Sequence, residues 1–125
     1  QIKINFSIAS NIKLDGFRDR LGRAILNIID NAIKYTPNQG RINISLLKEK
    51  NNALITIKDN GQGIEESELN QIFDRFYRGS KTNKIFGAGL GLAIAKATIE
   101  IHRGAIQVKS RLNSGSIFTI ALPLS

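Results

Sequence analysis

The chain has 125 residues, 42% of them hydrophobic, which suits one globular domain with a sizeable core. It contains no cysteine and no apolar run near the roughly 20 residues that cross a bilayer, so disulfide frameworks, thiol chemistry and a membrane span are excluded. The formal net charge is +8, but no nucleic-acid motif or stacking platform is present, and we expect no nucleic-acid partner. No signal peptide is recognisable, and a start at Gln1 rather than Met leads us to expect a fragment of a longer protein.

The first half of the chain alternates between strand and helix patterns. Apolar and polar residues alternate over Ile2–Ile8, which predicts a strand. Asp15 is a suitable N-cap for a helix whose apolar residues recur at helical spacing through Tyr35. The turn-forming run at 36–40 ends that helix. Two further strands are then predicted, at Arg41–Lys48 and Ala53–Lys58.

The second half predicts a short helix at Glu65–Phe73 and a longer one from Gly89 or Leu90 to His102. Between them, Tyr77–Ala88 has no clean period and is rich in Gly, Lys, Ser and Thr, which predicts a mobile loop. A closing hairpin is expected from the strands Ala105–Arg111 and Ser116–Leu122. Together these elements predict an α/β (α+β) two-layer sandwich, with a mixed sheet of about five strands covered on one face by about three helices.

The stretch "DNGQGI" (59–64) places a carboxylate in line with a core face. Asp59 is in phase with the apolar residues of the preceding strand, and a buried carboxylate needs hydrogen-bond donors. Gly61 and Gly63 remove side chains beside it, which leaves a slot with one fixed acceptor and exposed backbone. An adenine, whose exocyclic amine is a donor, fits such a slot. The alternative is an aspartate that only initiates a turn.

Two further stretches carry polar chemistry. Asn27 and Asn31 lie four residues apart on the long helix, and Lys34 and Tyr35 continue that edge, which suits a metal-bound polyphosphate with a base nearby. The alternative is a solvated polar face. In "GAGLGL" (87–92), glycines that open a helix leave bare N–H groups where phosphates bind, although neither a Rossmann fingerprint nor a Walker A motif is present. The alternative is a flexible helix start.

The stretch "IFDRFYRG" (72–79) combines aromatic residues that can pack locally with two arginines that project elsewhere. The pattern is typical of the hinge of a lid. Arg75 and Arg78 are then cations within reach of a phosphate.

In order and spacing, "NIIDNAIKYTP" (27–37), "DNGQGI", "IFDRFYRG" and "GAGLGLAIAK" (87–96) resemble the asparagine, first glycine, phenylalanine and second glycine boxes of sensor histidine kinases. "SGSIFTIALP" (114–123) resembles the closing glycine box and last strand. The resemblance covers nearly the whole chain. It implies that residues 1–125 are the ATP-binding catalytic domain of a two-component kinase, with the Bergerat fold.

This resemblance also implies roles for individual residues. Asn31 would ligate Mg²⁺ with Asn27 beside it, and Lys34 would contact phosphate as the third catalytic residue. Thr119, in phase with Ile117 and Ala121, would help Asp59 accept the adenine amine through a water. The further nucleotide contacts implied are Tyr35, Gly61, Gly63, Ile64, Arg75, Arg78, Gly87, Gly89, Leu90, Gly91 and Leu92.

The family keeps its phosphoacceptor histidine on a separate dimerisation domain, and the only histidine here, His102, is expected to be structural. The implied partners are that domain of the same parent protein and a downstream response regulator, with a monomeric isolated domain, a homodimeric parent and a location on the cytoplasmic face. Ala88 stands where the family often has a hydroxyl, and Arg103 where it often has glycine. Two alternatives remain open: an ATPase or protein-serine kinase of the same fold, in which ATPases carry a glutamate at the position of Asn27, and a regulatory nucleotide-binding module without transfer.

Overall fold

The structure, a computed structural model, describes residues 3–8, 18–37, 39–74 and 91–124. Two α-helices lie in these ranges, α1 (Arg18–Tyr35) and α2 (Gly91–Ile101). The strands are β1 (Lys3–Ile8), β2 (Arg41–Glu49), β3 (Asn52–Asp59), β4 (Ala105–Arg111) and β5 (Gly115–Pro123). They form one sheet in the order β1-β2-β3-β5-β4, in which β1 runs parallel to β2 and every other pair is antiparallel.

The core lies between one face of this sheet and the two helices. Ala24, Ile28 and Ala32 recur every four residues along α1 and are almost fully buried, and Ala95 and Ile99 do the same on α2. Alternate residues of the strands meet them from the sheet. The buried sheet residues of this cluster are Ile42, Ile44, Ile55, Ile57, Phe118, Ile120 and Leu122.

The predicted mixed sheet of five strands is confirmed, and each predicted strand lies within two residues of an observed one. The end of α1 also falls where the turn-forming run predicts it, and the Thr36 hydroxyl donates to the carbonyl of Ala32 at 2.7 Å. The N-cap expected at Asp15 and the loop expected at 77–88 lie outside the described residues. No helix in the described ranges is long and apolar enough to cross a membrane.

The helix predicted over 65–73 differs from the structure, which has a 3₁₀-helix at Glu66–Glu68 followed by turns. Successive backbone bonds here join residues three apart, as from Leu69 N–H to the Glu66 carbonyl. The residue before this turn, Glu65, makes no side-chain cap. Without a cap, so short a segment does not reach the length at which an α-helix becomes favourable.

Candidate functional site

Asp59 ends β3 as a buried carboxylate, with 4% of its surface exposed. It shares the helix-facing side of the strand with Ala53, Ile55 and Ile57, as the alternation of the sequence predicts. Its Oδ1 accepts a hydrogen bond from the Gly61 N–H at 2.9 Å. Burial raises the pKa of Asp59 above the usual value of 3.8, and backbone hydrogen bonds to its carboxylate from Gly61 and Ser116 partly oppose the rise.

The loop after Asp59 is held against the β4–β5 turn. Gly63 has a φ of +73°, and a Cβ there would fall on the carbonyl oxygen of Arg111, so only glycine fits. The Asn113 N–H donates to the Gln62 carbonyl at 2.6 Å, and the Ile64 N–H donates to a side chain of β4. Gly63 is therefore explained by this close backbone contact, and the Ile64 side chain packs against the core.

The polar face of α1 reaches the first residue of α2. Asn27 is half-buried, and its Nδ2 lies 3.5 Å from the carbonyl oxygen of Gly91, which brings the asparagine stretch and the end of the glycine stretch together. Asn31 is half-buried one turn later, and its amide nitrogen is buried without a hydrogen-bond partner among the described residues. Lys34 forms an ion pair with Asp30, Nζ to Oδ2, at 3.0 Å.

A cavity of about 320 Å³ opens between the end of α1 and the loop after β3. Asp59 does not line it and instead borders a second hollow of about 370 Å³ toward the β4–β5 turn. The residues that line the first cavity are Lys34, Thr36, Pro37, Asn60, Gly61, Gln62 and Asn113.

At the start of α2, Gly91 is exposed and Leu92 packs against the core. A Cβ at Gly91 would meet no atom of the described residues within 4 Å, so packing among them does not require glycine there. The Tyr35 side chain and the residues Arg75, Arg78, Gly87, Gly89 and Leu90 lie outside what the structure describes.

The structure corrects the prediction for Thr119. Thr119 pairs with Thr56, on the face of the sheet turned away from the helices, so it does not stand beside Asp59. Ser116 pairs directly with Asp59 and is itself 6% exposed. In the sequence Ser116 is in phase with Phe118, Ile120 and Leu122, but apolar residues on both faces of this run leave open which face meets the helices.

Residues 16–125 match the family described as "Histidine kinase-, DNA gyrase B-, and HSP90-like ATPase", and the chain belongs to that family. Sensor histidine kinase RppB of Synechocystis is 44% identical over 111 residues, which are 87% of this chain and 24% of RppB. The chain thus spans about a quarter of the length of that relative. The resemblance to the ATP-binding domain of sensor histidine kinases is therefore confirmed at the level of family and relatives.

Solved structures agree with this assignment. The mycobacterial sensor histidine kinase MprB superposes with a TM-score of 0.90 at 34% identity, covering 98% of this chain and 84% of that one. Full-length ShkA in complex with AMPPNP superposes with a TM-score of 0.85 at 25% identity, covering 99% of this chain and 26% of that one. The two-layer fold described above is thus that of histidine kinase catalytic domains.

Proposed function

We propose that this chain binds Mg-ATP and donates the γ-phosphate to a histidine on a separate dimerisation domain of its parent protein, in two-component signalling. The observation that carries the proposal is the contact between the Asn27 amide and the carbonyl oxygen of Gly91 at the start of α2, one helical turn from Asn31. This arrangement sets neutral amide ligands next to a helix N-terminus, which favours a metal-bound polyphosphate. Full-length ShkA was solved in complex with AMPPNP, which supports an adenine nucleotide as the ligand here.

The donor set of the site fits a magnesium ion that the phosphates help to hold. Asn31 would ligate the ion through its amide oxygen, with Asn27 beside it. The Asn31 amide nitrogen, buried without a hydrogen-bond partner among the described residues, would then donate to a phosphate oxygen. No group of three or more acidic, histidine or cysteine side chains that could hold a metal occurs in the described ranges, and magnesium commonly relies on substrate phosphates and waters. When bound, the ion neutralises phosphate charge. Lys34 would contact phosphate from the same helix face.

Asp59 would recognise the base. Its carboxylate is buried and oriented by two backbone N–H groups, and it can accept from the exocyclic amine of adenine. Guanine presents a carbonyl oxygen at the equivalent position. That oxygen and the Asp59 carboxylate are both hydrogen-bond acceptors and would repel each other. Gly61 would leave room beside the ring. Tyr35, Ile64, the arginines of the predicted lid and the glycine stretch at 87–92 would complete the contacts.

Asn27 favours transfer to a partner over hydrolysis. An amide can hold a water by hydrogen bonding but does not take a proton near neutral pH, and general-base help contributes typically about 10²–10⁴-fold. Water in this site should therefore be a poor nucleophile. An imidazole needs less activation, so the nucleotide would persist until a histidine is presented. A same-fold ATPase remains the second candidate, and the residue at position 27 distinguishes the two.

We place the domain on the cytoplasmic side of its cell, where ATP is available, as a monomeric unit of a homodimeric parent. A response regulator would receive the phosphoryl group from the histidine. The family match over most of the chain supports treating residues 1–125 as one ATP-binding unit.

Incubation with γ-labelled ATP tests the proposal, using the chain alone and the chain mixed with the dimerisation domain of its parent. We expect slow phosphate release by the chain alone and no label on His102. The mixture should yield an acid-labile phosphohistidine on the partner domain.

Rapid phosphate release by the chain alone, abolished by Asn27→Ala, would show that the chain is an ATPase. Nucleotide binding without transfer to the partner domain would favour the regulatory module.

A further inference from the structure

Three cations surround the second hollow, the one of about 370 Å³ near the β4–β5 turn. Lys58 of β3 and Lys109 of β4 lie on either side of Ile117 of β5, because each pairs directly with that residue. Arg111 lies two residues beyond Lys109 on the same face of β4. All three cationic residues are exposed, and Ile117 between them is half-buried. Adjacent strands thus bring three positive charges to one hollow.

These cations lie on the sheet face turned away from the helices. Adjacent residues of a strand point to opposite faces, so Lys58 points away from the side on which its neighbour Asp59 is buried. Asp59 also borders the hollow, but its carboxylate accepts the Gly61 N–H on the helix-facing side. The polyphosphate of the proposed nucleotide belongs on that side too, at Asn27 and the start of α2. The three cations are therefore separate from the nucleotide site.

The charge of the three cations is not neutralised by the strands that carry them. Within the described residues no ion pair joins them to an acidic side chain. On this face of β2 and β3 the acidic position is Glu49, which pairs with Asn52 at the far end of β3. The strand from Asn52 to Lys58 spans roughly 20 Å at about 3.3 Å per residue, more than two Debye lengths at physiological salt. The positive charge at the hollow is thus left for a ligand.

The lining of the hollow suits a phosphate group. An arginine guanidinium donates two parallel N–H bonds to phosphate oxygens, and a lysine ammonium adds a compact charge. Ser114, exposed at the β4–β5 turn, adds a hydroxyl donor to the same lining. A phosphate monoester carries about −1.5 to −2 charges near neutral pH, so it matches three cations better than a singly charged carboxylate does. The volume of the hollow falls in the range of small-molecule sites, about 300–1,000 Å³.

We propose that Lys58, Lys109 and Arg111 form an anion site on the outer face of the sheet, which binds a phosphate group carried by a small molecule or by a lipid headgroup. This site goes beyond the proposed phosphoryl transfer, because its residues take no part in holding the nucleotide. Since the two sites lie on opposite faces of the sheet, both can be occupied at once.

The test follows backbone amide NMR shifts of the 125-residue chain during titration with inorganic phosphate, pyrophosphate and acetate. Saturable shifts are expected around the hollow, at Lys58, Lys109 and Arg111, with acetate binding at least about tenfold more weakly than pyrophosphate. Arg111→Gln and Lys109→Gln should each weaken pyrophosphate binding about tenfold. Both side chains are exposed, so the rest of each spectrum should match the wild type.

Lys3→Gln is the matched control. It removes an equal charge from the same sheet face, but Lys3 lies on β1, at the opposite edge of the sheet and outside the hollow. Because exposed charges that far apart are largely screened, pyrophosphate affinity should change by less than about twofold.

Vesicles distinguish the two sources of the phosphate group. The chain and its variants are sedimented with phosphatidylcholine vesicles that contain or lack phosphatidic acid. Binding that requires phosphatidic acid, and that Arg111→Gln loses while Lys3→Gln keeps it, would assign the lipid headgroup. Saturable pyrophosphate binding without vesicle binding would assign a small soluble phosphate.

Equal losses of phosphate or vesicle binding in Arg111→Gln and Lys3→Gln would show diffuse attraction to a positive face and overturn the proposed site. Shifts confined to α1 and the start of α2, or no saturable shift with any probe and no vesicle binding, would overturn it as well. A wild-type chain that binds no Mg-ATP but gives the shifts at the hollow would overturn the proposed function and leave this site standing.

Discussion

At the scale of single residues, the candidate site holds polar groups that the fold alone does not favour. Asp59 is a carboxylate at 4% exposure, and the buried amide nitrogen of Asn31 has no partner among the described residues. Each arrangement costs free energy, since burial disfavours a charge and an unmade hydrogen bond costs about 1–3 kcal/mol. Substitutions at these two positions should therefore separate stability from ligand binding.

The pH dependence of stability tests Asp59. Its pKa is raised in the folded chain by burial, so the folded state holds more protons than the unfolded state between 3.8 and that raised value. Stability contributed by this carboxyl is therefore lost as pH rises through that window. Asp59→Asn has no carboxyl to ionise at this position, so this loss of stability with rising pH is absent from the variant. The unfolding free energy of the variant minus that of the wild type, measured in urea, should increase from roughly pH 4 to pH 7, and Mg-ATP affinity should collapse.

A difference between Asp59→Asn and wild type that stays flat or falls over the same range would contradict the burial of a titrating carboxyl at Asp59.

Asn31→Ala should raise stability while it removes Mg-dependent nucleotide binding. Alanine is the better residue inside a helix, and the substitution deletes an amide nitrogen that has no partner among the described residues, together worth about 1 kcal/mol. The matched control is Asn27→Ala on the same helix, which gains the same helix propensity but loses the bond from its amide to the Gly91 carbonyl, so it should be stabilised less. Thermal unfolding and calorimetry provide the two readouts. An Asn31→Ala chain less stable than Asn27→Ala would show that the Asn31 amide has a partner after all.

At the scale of elements, the site depends on a tight loop and on two helices that meet over the sheet. The loop after β3 is fixed by backbone contacts with the β4–β5 turn, at Gly63 and through the Asn113 N–H. By contrast, Gly22 lies exposed on α1, and a Cβ there would meet nothing within 4 Å. The two glycines thus have opposite structural requirements.

Gly22→Ala and Gly63→Ala should consequently change stability in opposite directions. In α1 the added methyl fills open space and removes backbone entropy from the unfolded chain, a gain of about 0.5–1 kcal/mol. At Gly63 it meets a backbone carbonyl at a left-handed φ, which should cost about 1–3 kcal/mol. Chemical denaturation of both variants checks the contrast. Equal stability of the two would argue against the loop geometry described above.

At the scale of the whole molecule, a group of cations lies on the sheet face turned away from the helices. Five cations occupy outward-facing strand positions at one end of this face, and no acidic residue occupies such a position there among the described strands. The ion pair between Lys34 and Asp30 lies on α1 and involves none of them. The five are Lys3, Arg41, Lys58, Lys109 and Arg111.

One pair of these cations should be directly repulsive. Lys3 of β1 lies opposite Arg41 of β2 in the parallel register, and like charges directly opposite destabilise a sheet. Lys3→Glu should raise the unfolding free energy by about 0.2–1 kcal/mol at low salt, with the gain fading in about 1 M NaCl. The control, Lys48→Glu, lies opposite Ala53 and should gain less. A gain that persists at high salt would point to a cause other than charge.

The sequence by itself determined where the five strands and the two long helices lie, which residues of β3 face the core, and which polar residues are candidates for the site. Alternation along β3 is strict, so the inward position of Asp59 follows from counting, and the four-residue spacing of Asn27 and Asn31 places them on one helix face. The sequence did not determine the conformation of the short segment at Glu66–Glu68. A few uncapped polar residues carry no period that distinguishes an α-helix from a 3₁₀ turn.

Only the tertiary structure decided which residues stand beside Asp59. The run from Ile117 to Leu122 carries apolar residues on both faces, so its pattern does not reveal which face meets the helices. Pairing with β3 determines the inward face of this run, because its register places Ser116 opposite Asp59 and places Thr119 on the sheet face turned away from the helices. The contact of Ser110 with Ser116 likewise depends on how two strands pair, since hydrogen bonds between strands form across the sheet and leave no period along either sequence.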